Sequence, residues 1–297
     1  MHRQILHTKG DWVTKRPQIR PGGWPFEYQN DYYPDVDDTA VVALALHRVN
    51  GDKFGENISR AIEWVVGMQS KNGGWGSFDA DNSYEYLNHI PFADHGALLD
   101  PPTADVTARC VGMLAQLEPE GQSASIREGV KFLKSVQEND GSWFGRWGTN
   151  YIYGTWSVLC ALNATGENMN APYIRRAVDW LKVRQGDDGG WGEDGTTYWE
   201  DKRNNKKCST PSQTAWALLG LMSAGETNSE CVKRGIQFLL DAPHIGSNWN
   251  EPWYTAVGFP KVFYLKYHGY SVYFPLWALA RFHNLIKGNS GKVPYGI

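Results

Sequence analysis

The sequence predicts an all-α fold, an α/α barrel (toroid) of paired inner and outer helices. A superhelical solenoid of helical repeats is the alternative that shares the same pattern. Three observations predict it. A Gln…Gly-Trp phrase recurs along the chain, each copy closes an amphipathic segment, and between the copies lie segments that are small or apolar around most of their circumference. A helix apolar on nearly all sides has to be buried on nearly all sides. Alternation of half-buried and fully buried helices fits two concentric rings with the buried helices inside. Strand patterning is nearly absent, and residues 1–297 read as a single domain.

The phrase is tight in Gln69 to Trp75, Gln137 to Trp143 and Gln185 to Trp191. A stretched copy opens the chain, from Gln4 through Gly10 to Trp12, and a degraded copy closes it, from Gln237 through Gly246 to Trp249. The outer helices precede the tight copies at Ala61–Met68, Val130–Val136 and Ala177–Val183, with apolar residues at helical spacing. Asn-Gly or Asp-Gly then stops each one, because Gly adopts positive φ without steric cost. The inner helices are expected at Thr39–Leu46, Val106–Leu114, Thr155–Leu162, Ser212–Leu219 and Phe274–Ala280, with Asp, Thr or Ser as N-caps. Gln and Trp at fixed offsets from a helix end are best read as ties between neighbouring outer helices, by stacking and hydrogen bonding.

A formal net charge of -3 with acids and bases intermixed offers no basic stripe for nucleic acid. The unusual feature is 14 Trp and 15 Tyr, which points to stacking or a large apolar pocket. Cys110, Cys160, Cys208 and Cys231 lie far apart with no CxxC pair, the pattern of a reducing compartment. The start at Met1 shows no signal-peptide h-region, and no apolar run reaches the ~18 residues that span a bilayer, so any membrane contact is expected from one side.

The chemistry concentrates in Asp35-Val36-Asp37-Asp38-Thr39-Ala40, three carboxylates in four positions directly before an apolar helix. Once partly buried, such a cluster cannot ionise completely, because desolvation and mutual repulsion raise the pKa of at least one member. A proton held this way beside an apolar cavity can be given to a weak base. An N-cap cluster is the plainer reading of the same residues.

With this motif beside the Gln…Gly-Trp repeats, the chain resembles the squalene–hopene cyclase family of triterpene cyclases. Pro21 to Phe26, Asn88 to Phe92, Asp100 to Ala108, Gly141 to Gly148, Ser209 to Trp216 and Gly258 to Pro260 carry the same resemblance, which runs from about Gln4 to about Phe282. It implies a metal-free, cofactor-free cyclisation of squalene to hopene or hopanol, started by protonation of a terminal alkene. Asp37 matches the acid, with Asp35 and Asp38 as its neighbours. Asp105-Val-Thr-Ala-Arg109 matches the segment that supplies the acid's partner; Arg109 stands where some relatives have His, and offers a permanent charge in place of a proton shuttle. Phe26, Trp147, Tyr153, Phe259, Phe263, Tyr267 and Tyr270 would line a dry cavity whose ring faces stabilise carbocations, each by roughly 0.5–2 kcal/mol. Phe263, Tyr267 and Tyr270 fall at i, i+4, i+7, one face if that segment is helical. Phe92 and Ala93 match a substrate channel, His89 a structural hydrogen-bonder near it, and Phe78 stands where some relatives have Tyr.

Family members also carry a long N-terminal half that has no counterpart here. The resemblance therefore implies a fragment, a truncated product or one piece of a split enzyme, with the other half on a separate chain or supplied in a homodimer. It further implies a cytoplasmic protein, peripheral and monotopic on the inner face of a bacterial plasma membrane. A protein-prenyltransferase β-subunit would need a zinc grouping that the Cys and His residues do not suggest. A metal-dependent synthase would need Asp-Asp-x-x-Asp, whose spacing differs. A class II diterpene cyclase and a non-catalytic remnant or scaffold are the remaining alternatives.

Overall fold

In a computed structural model, the described residues are 3–91, 98–117, 123–242, 244–246 and 248–288. They form two compact units that divide the chain between Ser135 and Val136.

In the first unit, two-residue strands β1 (Trp24–Pro25) and β2 (Pro34–Asp35) pair antiparallel, with Trp24 opposite Asp35. They deliver the chain into α1 (Val36–Asn50), followed by α2 (Gly55–Gly67), α3 (Ala104–Leu117) and α4 (Ala124–Ser135). α1 packs on α2 and α3, and α3 on α4. As the apolar pattern predicts, α3 is buried without interruption from Ala104 to Leu114. α2 buries only Ile58, Ala61, Trp64 and Val65, a single stripe at helical spacing.

The second unit contains α5 (Tyr151–Ala164), α6 (Pro172–Arg184), α7 (Pro211–Ser223) and α8 (Glu230–Asp241), then the short strands β3 (His244–Ile245), β4 (Asn248–Trp249), β5 (Ala256–Phe259) and β6 (Phe263–Leu265), and finally α9 (Tyr270–Ile286). Every residue of α7 is buried, because α5, α6, α8 and α9 all pack against it. α9 departs from the expectation of an all-round buried helix. It buries Ser271, Pro275 and Ala278 but exposes Tyr273 and Leu276, since α7 is its main helical neighbour and covers one face.

The repeats act as the ties the sequence suggests. The Gln69 amide donates to Gly73 O at 2.7 Å and to Ser125 O in the first turn of α4 at 2.9 Å. Gln137 joins Gly141 O to Tyr173 O of α6, and Gln185 joins Gly189 O to Cys231 O of α8, all at 2.8 Å. The Trp75, Trp191 and Trp249 indoles reach back to carbonyls of the preceding outer helix, Val65, Leu181 and Leu239. The Gly between them is required twice over. Gly73 sits at φ +90, and a Cβ there would lie 2.4 Å from Glu128 O.

Two details differ from the sequence reading. The opening copy is Gln4 with Gly22-Gly23-Trp24 rather than with Gly10 and Trp12: the Gln4 amide donates to Gly22 O and to Asn57 O of α2, the same double tie. A 3-10 turn at Asp11–Thr14 lies between Gln4 and its glycines, so spacing along the chain misleads; Trp12 instead packs edge-on against Trp64 with ring centres 6.0 Å apart. In the closing copy, Gln237 bonds Asp241 within its own helix.

The sequence reading also missed an inner half of each tie. The backbone N–H of the repeat Trp donates to a Thr hydroxyl on an inner helix, in Trp24–Thr39, Trp75–Thr107, Trp143–Thr155 and Trp191–Thr214, at 2.8–3.0 Å. A Thr three to five positions into each inner helix was the available signal. No helix among the described residues is long and apolar enough to cross a membrane.

Candidate active site

In the first unit the three carboxylates gather at the start of α1 in distinct roles. Asp35 is the N-cap, its Oδ1 accepting the Asp38 N–H at 2.8 Å. The plainer N-cap reading therefore holds for this residue. Asp35 is buried, and burial, then repulsion from Asp38 and Asp37, lifts its pKa well above the ordinary range, against the helix-start N–H that lowers it.

Asp37 faces α3. Arg109 Nε donates to Asp37 Oδ1 at 2.7 Å, with side-chain exposures of 9% and 25%. Burial raises the Asp37 pKa; the Arg109 charge and hydrogen bond pull it down, and Asp105 pushes it up. The net shift is upward, so the carboxyl keeps its proton above the ordinary carboxylate range while a guanidinium waits to stabilise the anion. Asp38 lies at the open side of the cluster; loss of hydration, then Asp37, pushes its pKa up to about 6, with Arg109 opposing. Asp105 stands one helical turn before Arg109 on α3, buried, and accepts from the Thr103 hydroxyl at 2.6 Å.

Asp100 belongs to this frame although the sequence reading gave it no role. Its carboxylate accepts the backbone N–H groups of Ser77, Phe78 and Asp79 at 3.0, 2.6 and 2.8 Å. Ser77 O in turn accepts the Val36 N–H at 2.8 Å, which fixes the first residue of α1 between Asp35 and Asp37. The Asp100 charge also adds to the rise at Asp35. Phe78 is thus held by its backbone beside the acid cluster. The Cys110 thiol is buried next to the acids; burial, then the charges of Asp37 and Asp35, keep it neutral.

Phe26 lies in the first unit and is 52% exposed. His89 ends an exposed 3-10 turn. Phe92 and Ala93 lie outside the described residues.

The remaining aromatics lie in the second unit. Phe263, Tyr267 and Tyr270 do not share a helix face: Phe263 is in β6, Tyr267 in the following turn, and Tyr270 opens α9. β5–β6 pairing takes Phe263 into a hairpin, which overrides helical spacing. The face that does run at i, i+4, i+7 is Tyr270, Phe274 and Trp277, each ring centre within 6.2 Å of the next. Trp216 of α7 is the hub, with ring centres 4.9 Å from Tyr153, 5.9 Å from Tyr270, 5.4 Å from Phe274 and 5.9 Å from Trp156, the last in parallel stacking. Tyr267 joins through Tyr270 at 5.1 Å. Trp147 and Phe259 form a second group around Arg146, whose Cζ lies 4.1 and 5.4 Å from their ring centres, and Phe263 packs on Phe259 at 5.5 Å. The structure thus joins six of the predicted aromatics into two clusters through Trp216 and Arg146, neither of which the sequence reading selected. The Trp of Ser-Gln-Thr-Ala-Trp216 and the Arg of Phe-Gly-Arg146-Trp were the signals available.

The chain is similar to known proteins over most of its length. Residues 1–284 match the family model described as the squalene-hopene cyclase C-terminal domain. The squalene–hopene cyclase of Zymomonas mobilis is 58% identical over 301 residues, covering 99% of this chain and 46% of that protein. That of Alicyclobacillus acidocaldarius is 46% identical over 290 residues, covering 97% of this chain and 46% of that protein. The chain spans about half the length of the curated relatives it matches. Among solved structures, the apo type II terpene cyclase MstE from Scytonema has a TM-score of 0.61 at 19% identity, covering 91% of this chain and 78% of that one. The shared fold is the all-α, α/α-barrel class that the repeats predict.

Proposed function

The chain belongs to the squalene–hopene cyclase family, as its C-terminal domain, and from that premise we propose that it carries the proton donor of a triterpene cyclase acting on squalene. The observation that supports this best is the Asp37–Arg109 pair. A half-buried carboxyl keeps its proton to higher pH than an ordinary one, and a guanidinium at 2.7 Å stabilises the negative charge left after proton transfer. The Asp37 O–H proton goes to the terminal alkene. The alkene's π electrons form the new C–H bond, leaving a tertiary cation that successive double bonds attack. Loss of a proton at the end gives hopene, and capture of water gives hopanol. Asp35, Asp38 and Asp105 tune the acid by repulsion, and Phe26, Trp147, Tyr153, Phe259, Phe263, Tyr267 and Tyr270 offer ring faces to the cations.

The substrate is apolar enough to reside in a bilayer, so the proposal includes one-sided, peripheral contact with the cytoplasmic face of a bacterial membrane. It also includes a complementing N-terminal polypeptide, in the same protein, on another chain or from a second copy. No metal or redox step is invoked.

The test is to incubate the purified chain with squalene in detergent, alone and with a complementing N-terminal half. Cyclised product is expected from the complemented preparation, resistant to EDTA, and absent after Asp37→Asn with helical circular dichroism retained. No cyclised product from either preparation sinks the proposal, and turnover in Asp37→Asn moves the acid elsewhere.

A further inference from the structure

Residues 146–149 run antiparallel to 255–258 in the second unit, and one rung of this ladder is a side chain. The Thr149 N–H donates to Thr255 O at 2.8 Å, Gly148 bridges Ala256, and the Val257 N–H donates to Trp147 O at 3.1 Å. One step further in the same register, Arg146 meets Gly258, and there Arg146 Nη1 donates to Gly258 O at 3.0 Å. That bond brings the guanidinium to 4.1 Å from the Trp147 ring centre and 5.4 Å from that of Phe259. Gly258 leaves room for the Phe263 ring of the facing strand, because a Cβ there would lie 2.0 Å from it. Two segments 112 residues apart are therefore locked together at their aromatic side chains by one planar cation.

We infer that Arg146 is a positioning residue for a cation-binding aromatic wall. It covers one face of Trp147 and of Phe259, fixes their mutual angle, and turns the opposite faces toward a hydrocarbon cation. The ligand class rests on the cyclase reading above; the clamp rests on the ladder and the ring distances. Lys would keep the charge but lose the flat donor fork and the stacking plane.

The probes are dodecylammonium and dodecanol, titrated calorimetrically into the purified chain. The wild type is expected to bind the ammonium more tightly than the alcohol. Arg146→Lys is expected to cut that preference about threefold or more, the scale of a lost cation–π contact, with the melting temperature within a few degrees of wild type. Arg146→Ala should lose the preference as well, and millimolar guanidinium chloride should restore it where sodium chloride does not. An unchanged preference in both variants overturns the inference, as does equal restoration by the two salts. A wild type with no preference for the ammonium removes the aromatic-wall reading and Arg146's role with it. A wild-type preference that the variants retain removes the role of Arg146 alone.

Discussion

Replacing Arg109 by Met tests the acid pair directly, because Met keeps the apolar stem and deletes the charge. With charge centres about 4 Å apart and an effective dielectric near 20, the lost attraction is about 4 kcal/mol. Two features reduce it. Asp37 keeps a quarter of its side-chain surface open to water, and Asp37 can take up a proton when its partner goes, whereas a stranded Arg could not neutralise itself. A loss of about 2–3 kcal/mol at pH 7.5 remains, which for a chain of this size lowers the melting temperature by roughly 3–5 °C.

The pH dependence carries the sign. Arg109 holds the folded-state pKa of Asp37 down, so the variant raises it further above its ordinary value. A group raised in the folded state favours folding below its unfolded pKa, and that contribution is lost as pH rises through the folded pKa. The penalty should therefore shrink as pH is lowered, because a proton on Asp37 replaces the guanidinium. The assay is thermal unfolding of wild type and variant from pH 4.5 to 8. A melting temperature within 1 °C of wild type at pH 7.5 would refute the buried pair, and an equal loss at every pH would mean that packing rather than charge had been removed.

Asp38, with its pKa pushed up to about 6, carries the same sign in a defined window. Relative to Asp38→Asn, the wild type should lose melting temperature as pH rises from about 4 through about 6, and a difference flat across that window contradicts the shift. Gln185→Leu removes the donor shared by Gly189 O and Cys231 O; it should cost about 1–3 kcal/mol in urea unfolding with the slope unchanged, and a cost below 0.5 kcal/mol would deny the repeat its tying role.

Some of this was legible in the sequence because it depends on residues close together in the chain. Helical spacing marked the buried and half-buried helices, and the crowding of Asp35, Asp37 and Asp38 marked the carboxylate cluster. The repeat glycines, however, do not stop the outer helices: α2, α4 and α6 end at Gly67, Ser135 and Arg184, and Gly73, Gly141 and Gly189 take positive φ in a separate turn that follows. Arg109 is identified as partner through the resemblance, because Asp105-Val-Thr-Ala-Arg109 matches the family segment that supplies the acid's partner. Where spacing alone was used across a loop it failed, in the pairing of Gln4 with Trp12 and in the supposed helix face of Phe263, Tyr267 and Tyr270. A loop of any length can bring the same two groups together, and strand pairing replaces a period of 3.6 by one of 2.

The sequence by itself determined the helical class, the repeat and the place where a proton can be stored, since each is written in local composition and period. Tertiary structure alone decided that Asp37 meets Arg109 across 72 residues, that Asp100 braces the start of α1 through Ser77, and that Arg146 and Trp216 gather the aromatic rings. Those contacts are settled by how helices and hairpins register against one another in a close-packed interior, where shifts of about one side chain change which groups touch. No pattern along the chain encodes that register.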